Sequence, residues 1–211
     1  MINDVNREYI VIGASGHGAV VADILLKSGL VVKGFLDDGV EVGSEVLGVP
    51  VLGAIDMCTR YPDCLFIVGI GNNATRRAIA EKYQLDYGVA VHPSAIIGQD
   101  VEIGAGSVLM ASCVVNPMTV IGEHCIINTG ACLDHDNKIS DFVHVSPGAV
   151  LGGLVNVGCG SQVGIGACVK NVTTICDDVI VGAGAVVVKD ITEPGVYYGV
   201  PARLVPKMLK L

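Results

Sequence analysis

The sequence predicts two joined folds: a small α/β unit with a parallel sheet over residues 1–90, then a parallel β-helix of hexapeptide repeats over residues 91–211. Three observations predict it. Up to about residue 90, strand-length apolar runs alternate with helix-spaced segments and glycine-rich turns. From Ile97 onward an aliphatic residue returns at every sixth position. The composition is 51% hydrophobic but only 4% aromatic, with no Trp and 28 Gly among 211 residues, which suits an aliphatic core held in tight backbone geometry.

In the first part, residues 9–12 form a short apolar strand that runs into the turn Gly13-Ala14-Ser15-Gly16-His17-Gly18. Residues 17–28 carry helix-spaced apolar positions and stop at Gly29, a natural C-cap. A second strand over residues 30–36 is closed by Asp37-Asp38-Gly39. A third over residues 65–70 is followed by Gly71-Asn72-Asn73 and a helix to Tyr83. Strand–helix–strand order implies parallel pairing, and such sheets bind ligands in the loops at their strand ends.

In the second part, the six-residue step passes through Ile97, Ile103, Leu109, Val115, Ile121, Ile127, Leu133, Ile139, Val145, Leu151, Val157, Val163, Val169, Ile175, Val181 and Val187, with no insertion. A strict short period marks a repeat architecture, and hexapeptides mark a parallel β-helix of 18-residue coils. Glycine follows the aliphatic at positions 98, 104, 122, 152, 158, 164 and 182, where we expect a turn needing permissive backbone. Four residues after the aliphatic the slot is small or Val, as at Ser107, Cys113 and Ala131. Asn137 breaks that rule directly after Leu133-Asp134-His135-Asp136, and a local departure from a strict pattern is where function is expected.

Charge and motifs narrow the classes. A net charge of −8 without a Lys/Arg run argues against nucleic acid as a partner. No stretch is apolar enough to cross a membrane, and residues 1–9 lack a basic start and apolar run. The expected location is the cytoplasm. None of the eight Cys forms a C-x-x-C pair, so no metal site is expected, and small buried thiols in a reducing compartment are the reading.

Several segments carry a resemblance: Gly13 to Gly18, Phe35-Leu36-Asp37-Asp38, Ile70-Gly71-Asn72-Asn73 with Arg76, Asp134-His135-Asp136, His144-Val145-Ser146 and Gly199-Val200-Pro201-Ala202-Arg203. With the hexads they resemble hexapeptide-repeat sugar acetyltransferases that carry an N-terminal Rossmann-like domain. The chain is most similar to the bacillosamine-type UDP-4-amino-sugar N-acetyltransferases. The resemblance implies a left-handed parallel β-helix, a homotrimer, and acetyl-CoA bound in the groove between subunits. It implies acetyl transfer to the amine of a nucleotide-linked 4-amino-4,6-dideoxy sugar, UDP-4-amino-4,6-dideoxy-N-acetylglucosamine before other sugars. GDP-perosamine N-acetylation and sialic-acid O-acetylation are the alternatives.

The candidate residues follow. His135 is the candidate general base, because an imidazole with a pKa near ~6.5 suits removal of an amine proton at neutral pH. Its coil neighbours 18 residues away are Pro117 and Gly153, and the missing side chain at Gly153 leaves room for substrate. Asp136 resembles the family's carboxylate beside the base, with Asp134 as a rival. Backbone amides at a helix start suit a diphosphate, and the resemblance places the nucleotide at Ser15, Gly16 and His17. Because Ser15 occupies the second glycine position of the dinucleotide fingerprint, NAD is not expected. Asp37 and Asp38, after the second strand, suit the ribose or base, and Gly71 and Asn72 end the third strand at the same edge. For acetyl-CoA the candidates are His144, Gly164, Ile165, Ala183 and Arg203. A metal-dependent hydratase would need three converging histidines, and a plain scaffold would leave the glycine loops unexplained.

Overall fold

The computed structural model describes residues 7–205. The readings on residues 1–6 and on the tail from 206 to 211 lie outside the described residues. Strands β1 (Tyr9–Ile12), β2 (Val32–Leu36), β3 (Glu45–Val46), β4 (Val49–Gly53) and β5 (Leu65–Val68) form one sheet in the order β3-β4-β2-β1-β5. All its pairings are parallel except β3 with β4. Helix α1 (Gly16–Lys27) ends as the sequence predicts: Ser28 N–H returns to the Ile24 and Leu25 carbonyls, and Gly29 adopts φ +73°. Helix α2 (Asn73–Lys82) opens on Asn72, whose side chain accepts from Thr75 N–H.

Two differences from the sequence reading have local causes. β5 ends at Val68 because Gly69 passes against α1, where a Cβ would lie 2.8 Å from the Gly18 Cα. The hairpin of β3 and β4 escaped the reading because its two-residue turn is Leu47-Gly48, with φ +55° and +74°. Leucine is an uncommon occupant of a left-handed turn, so the usual Asn-Gly or Asp-Gly signal is missing.

From Ala90 the chain winds as a parallel β-solenoid with three ladders. The first runs through Ala90–Val91, Val108–Leu109, Ile126–Ile127, His144–Val145 and Gln162–Val163, and the second through Ile96–Ile97, Val114–Val115, Cys132–Leu133 and Val150–Leu151. The third runs through Glu102–Ile103, Val120–Ile121, Lys138–Ile139, Asn156–Val157 and Thr174–Ile175. Residues pair in register 18 apart, as in Leu133 with Leu151. The repeated aliphatics from Leu109 to Val187 are all buried, while Ile97 and Ile103, in the first coil, are half-buried. The inward small residues, Asn137 among them, are buried too.

The glycines have another role than the one expected. The left-handed turn position is the third residue after each aliphatic from Ile97 to Val181, whether glycine (106, 130, 148, 160, 166, 184) or not (100, 112, 118, 124, 136, 142, 154, 172, 178). The glycines directly after the aliphatic are not in that conformation. They face the next coil, where a Cβ on Gly152 would sit 2.7 Å from Asn171 N and one on Gly164 2.5 Å from the Val181 carbonyl. Close stacking of backbones selects glycine there, not turn geometry.

The two parts share a core. Val21, Ile24 and Leu25 of α1 belong to one buried cluster with Ala90, Val108, Met110 and Ile126 of the first ladder. The opposite side of the prism is different: the outward positions of the second ladder are Ile96, Val114, Cys132, Val150, Cys168 and Val186, an apolar column with Ile96 and Val150 among its exposed members.

Candidate active site

His135 stands on the corner between the second and third ladders. Its imidazole is exposed, and Nδ1–H donates to the Asp136 carboxylate at 2.7 Å. That hydrogen bond, reinforced by the charge of Asp134, raises the His135 pKa. Asp136 takes the left-handed turn position at φ +59°, which brings its side chain back onto the imidazole. Asp134 plays a different part. It accepts from His135 N–H at 2.8 Å and from Asn116 Nδ2 at 2.9 Å, which holds its pKa down and fixes the loop.

Asn137 braces the same corner from inside. Its Nδ2 donates to the Asp134 carbonyl at 2.6 Å, and its Oδ1 accepts from Val155 N–H at 2.7 Å. The irregular slot is therefore mechanical: a buried amide pairs two interior backbone groups beside the loop that carries His135. The space over Gly153 is not open for substrate as expected. The imidazole itself fills it, since a Cβ at Gly153 would meet His135 Cε1 and Nε2 at 2.8 Å. A cleft of about 340 Å³ opens here, lined by Asp134, His135, Gly152, Gly153, Leu154, Lys170 and Asn171.

The loops at the strand ends of the α/β unit meet the solenoid at the first ladder. Ser15 and Gly16 are exposed at the start of α1. Asp37 has both oxygens engaged, by Ala14 N–H at 2.7 Å and Gly39 N–H at 2.8 Å, while Asp38 uses one oxygen on Ile55 N–H. Asp38 is thus the freer of the two to meet a ribose or base. His17 packs near Gly71, and its Nε2 is buried without a hydrogen bond. Burial, then Arg76, pushes its pKa down to about 4, so the ring is neutral near pH 7.

His144 lies in the same region rather than on an open groove. It is buried, and its Nε2 accepts from Asn128 Nδ2 at 2.9 Å. Burial, Arg76 and His17 lower its pKa to about 4, partly opposed by the Gly71 backbone. Gly164, exposed Ile165 and exposed Ala183 sit at the corner between the first and second ladders, and exposed Arg203 lies near the far end of the solenoid. One subunit therefore places the candidate base and these candidate CoA residues on different corners. His124 is buried, stacked on the Phe142 ring at 5.2 Å. Within one subunit it shares no corner with His135.

Asn116, Asn128 and Arg76 were given no role from sequence. The first two carried a signal: they occupy the slot after the aliphatic, which is glycine in many hexads, so a polar side chain there stands on the coil's rim.

Comparison with known proteins identifies the family. A family model described as the PglD N-terminal domain matches residues 8–83. The UDP-N-acetylbacillosamine N-acetyltransferase of Bacillus subtilis is 39% identical over 112 residues, covering 50% of this chain and 52% of that protein. The chain thus matches about half the length of this curated relative. The acetyltransferase domain of PglB from Neisseria gonorrhoeae, solved with acetyl coenzyme A, superposes with a TM-score of 0.90 at 39% identity, covering 94% of this chain and 99% of the domain. The chain belongs to the PglD-like sugar acetyltransferase family. A variant of perosamine N-acetyltransferase from Caulobacter crescentus, in complex with CoA and GDP-perosamine, superposes at 0.88 with 36% identity, covering 94% and 96% of the two chains. The PglD-like fold therefore extends over both parts of the molecule.

Proposed function

We propose that this chain is an acetyl-CoA-dependent nucleotide-sugar N-acetyltransferase. Its acceptor is the amine of a nucleotide-linked 4-amino-4,6-dideoxy sugar, UDP-4-amino-4,6-dideoxy-N-acetylglucosamine before GDP-perosamine. The observation that carries this reading is the exposed His135 ring on an open cleft, hydrogen-bonded through Nδ1 to Asp136 at 2.7 Å. The relatives named for bacillosamine and perosamine N-acetylation support the substrate class.

In this reading the sugar amine attacks the thioester carbonyl and His135 Nε2 takes the proton it loses. Asp136 holds Nδ1–H and stabilises the imidazolium. Gly153 lies on the coil next to His135, against that ring, and its backbone N–H is the donor assigned to the developing oxyanion. Collapse expels the CoA thiolate. The strand-end loops at Ser15, Gly16, His17, Asp38, Gly71 and Asn72 hold the nucleotide. His144, Gly164, Ile165, Ala183 and Arg203 hold acetyl-CoA, and Asp37 shapes its loop while presenting its free lone pairs to the nucleotide.

A left-handed, cytoplasmic homotrimer belongs to the same proposal. The candidate base and the candidate CoA residues sit on different corners, so a groove between copies unites them. The apolar column of the second ladder supplies a face for that packing.

Steady-state thiol release with UDP- and GDP-linked amino sugars, and with a hydroxyl acceptor such as sialic acid, tests the proposal. The amino sugars are expected to turn over, with His135→Ala lowering kcat by about 10²–10⁴-fold. Near wild-type turnover in that variant removes His135 from the chemistry, and preference for the hydroxyl acceptor makes the enzyme an O-acetyltransferase.

A further inference from the structure

Arg76 is 1% exposed, yet no carboxylate among the described residues pairs with it. Burial pushes its pKa only to about 10, so it stays charged. Arginine is almost never fully buried unless its donors are satisfied. Here Nε donates to the His124 carbonyl at 2.8 Å and Nη2 to the Phe142 carbonyl at 3.0 Å and to Asn73 Oδ1 at 2.8 Å. Nη1 donates to the carbonyls of Ile70 and Gly71. Asn73 Nδ2 in turn donates to the Gly160 carbonyl at 2.9 Å.

The positions contacted are regular. Residues 124, 142 and 160 are one corner of three successive coils, each in the left-handed turn conformation. Arg77 continues the series to Asp178 of the next coil at 3.8 Å. Helix α2 thus lies along one edge of the solenoid with a donor on each coil it passes. The same guanidinium grips the backbone of Ile70 and Gly71, the loop that ends β5.

We propose that Arg76, with Asn73, is a positioning residue that sets the register of the nucleotide-binding loops along the solenoid. The proposal rests on the functional reading above. The coils repeat about every 4.8 Å, and corner carbonyls alike in conformation recur on each of them, so apolar packing alone discriminates weakly between registers. The planar fork, fixed at one end to Ile70 and Gly71 and at the other to two named coils, selects one. That register brings Gly71 and His17 to His144, in the coil that also carries His135. A shift by one coil displaces the acceptor by about 4.8 Å, far outside the reach of a proton transfer.

The test compares Arg76→Lys, which keeps the charge but not the fork, with Asn73→Ala, a milder change should the first fail to fold. Both are followed by kinetics and by hydrogen exchange. For each variant kcat/KM for the nucleotide-sugar is expected to fall at least about 10-fold while the Kd for acetyl-CoA stays within about twofold. Exchange is expected to speed up in residues 13–18 and 70–73 and to stay unchanged in the hexads. Wild-type acceptor kinetics in folded Arg76→Lys, or equal losses for both substrates, overturns the proposal, as does unchanged exchange in Asn73→Ala when Arg76→Lys does not fold. A wild-type protein inactive on every nucleotide-sugar overturns the functional reading instead, and the exchange experiment still decides the register.

Discussion

At the scale of residues, two carboxylates flank one imidazole and the geometry separates their work. Asp136 meets Nδ1, whereas Asp134 is bound to backbone and to Asn116. The base acts only when neutral, and its pKa is raised chiefly by Asp136. Activity should therefore rise with pH through a value above the ordinary histidine range. Asp136→Asn is expected to move that acid limb of kcat/KM to lower pH and to lower the plateau, because a weaker base remains. A pH–rate profile of the two proteins checks this, and an unmoved limb would mean that another group titrates.

The sequence singled out His135, and the family resemblance favoured Asp136 over Asp134 beside it. The structure adds the contact itself: Asp136, in the left-handed turn position that the hexad period assigns it, reaches Nδ1 at 2.7 Å. The position of Asp37 after a strand suited a ribose, and each of its oxygens also accepts one backbone N–H, from Ala14 and Gly39, which leaves further lone pairs for a ligand.

At the scale of elements, the coil corner at 134–137 separates support from chemistry. Asn137→Ala leaves the Val155 N–H without its acceptor inside the solenoid. Such a loss costs about 1–3 kcal/mol, so the urea midpoint is expected to fall. Gly153→Ala tests the other side of the corner. Gly153 does not need the left-handed conformation, and its missing Cβ makes room for the His135 ring at 2.8 Å. That variant is expected to keep its melting temperature and lose most of its kcat, as seen by thermal denaturation and steady-state assay of the same preparation. The hexads were fully legible because every sixth side chain must fill one prism. The purpose of their glycines was not, because contact between coils 18 residues apart is absent from any local window.

At the scale of the whole molecule, the joint between the α/β unit and the solenoid holds three histidines, His17, His124 and His144, each lowered to about 4 chiefly by burial. An unfolded chain protonates them near ~6.5, so between about 6.5 and 4 the unfolded state binds more protons than the native one. Stability should fall as pH drops through that window and level off below it. Melting temperatures recorded from pH 7.5 to 4 check the slope, and His124→Phe is expected to make it shallower. A melting temperature that holds steady over the window would show the rings already charged in the fold.

The sequence by itself determined the two-part architecture, the coil length, the buried aliphatic column and the corner where the candidate base stands. Each follows from period and residue type, which act locally. Only the tertiary structure decided why glycine follows the aliphatics and that Arg76 ties helix α2 to successive coils. Those outcomes depend on groups that meet across 18 or more residues, and on backbone carbonyls whose direction exists only once the solenoid is wound.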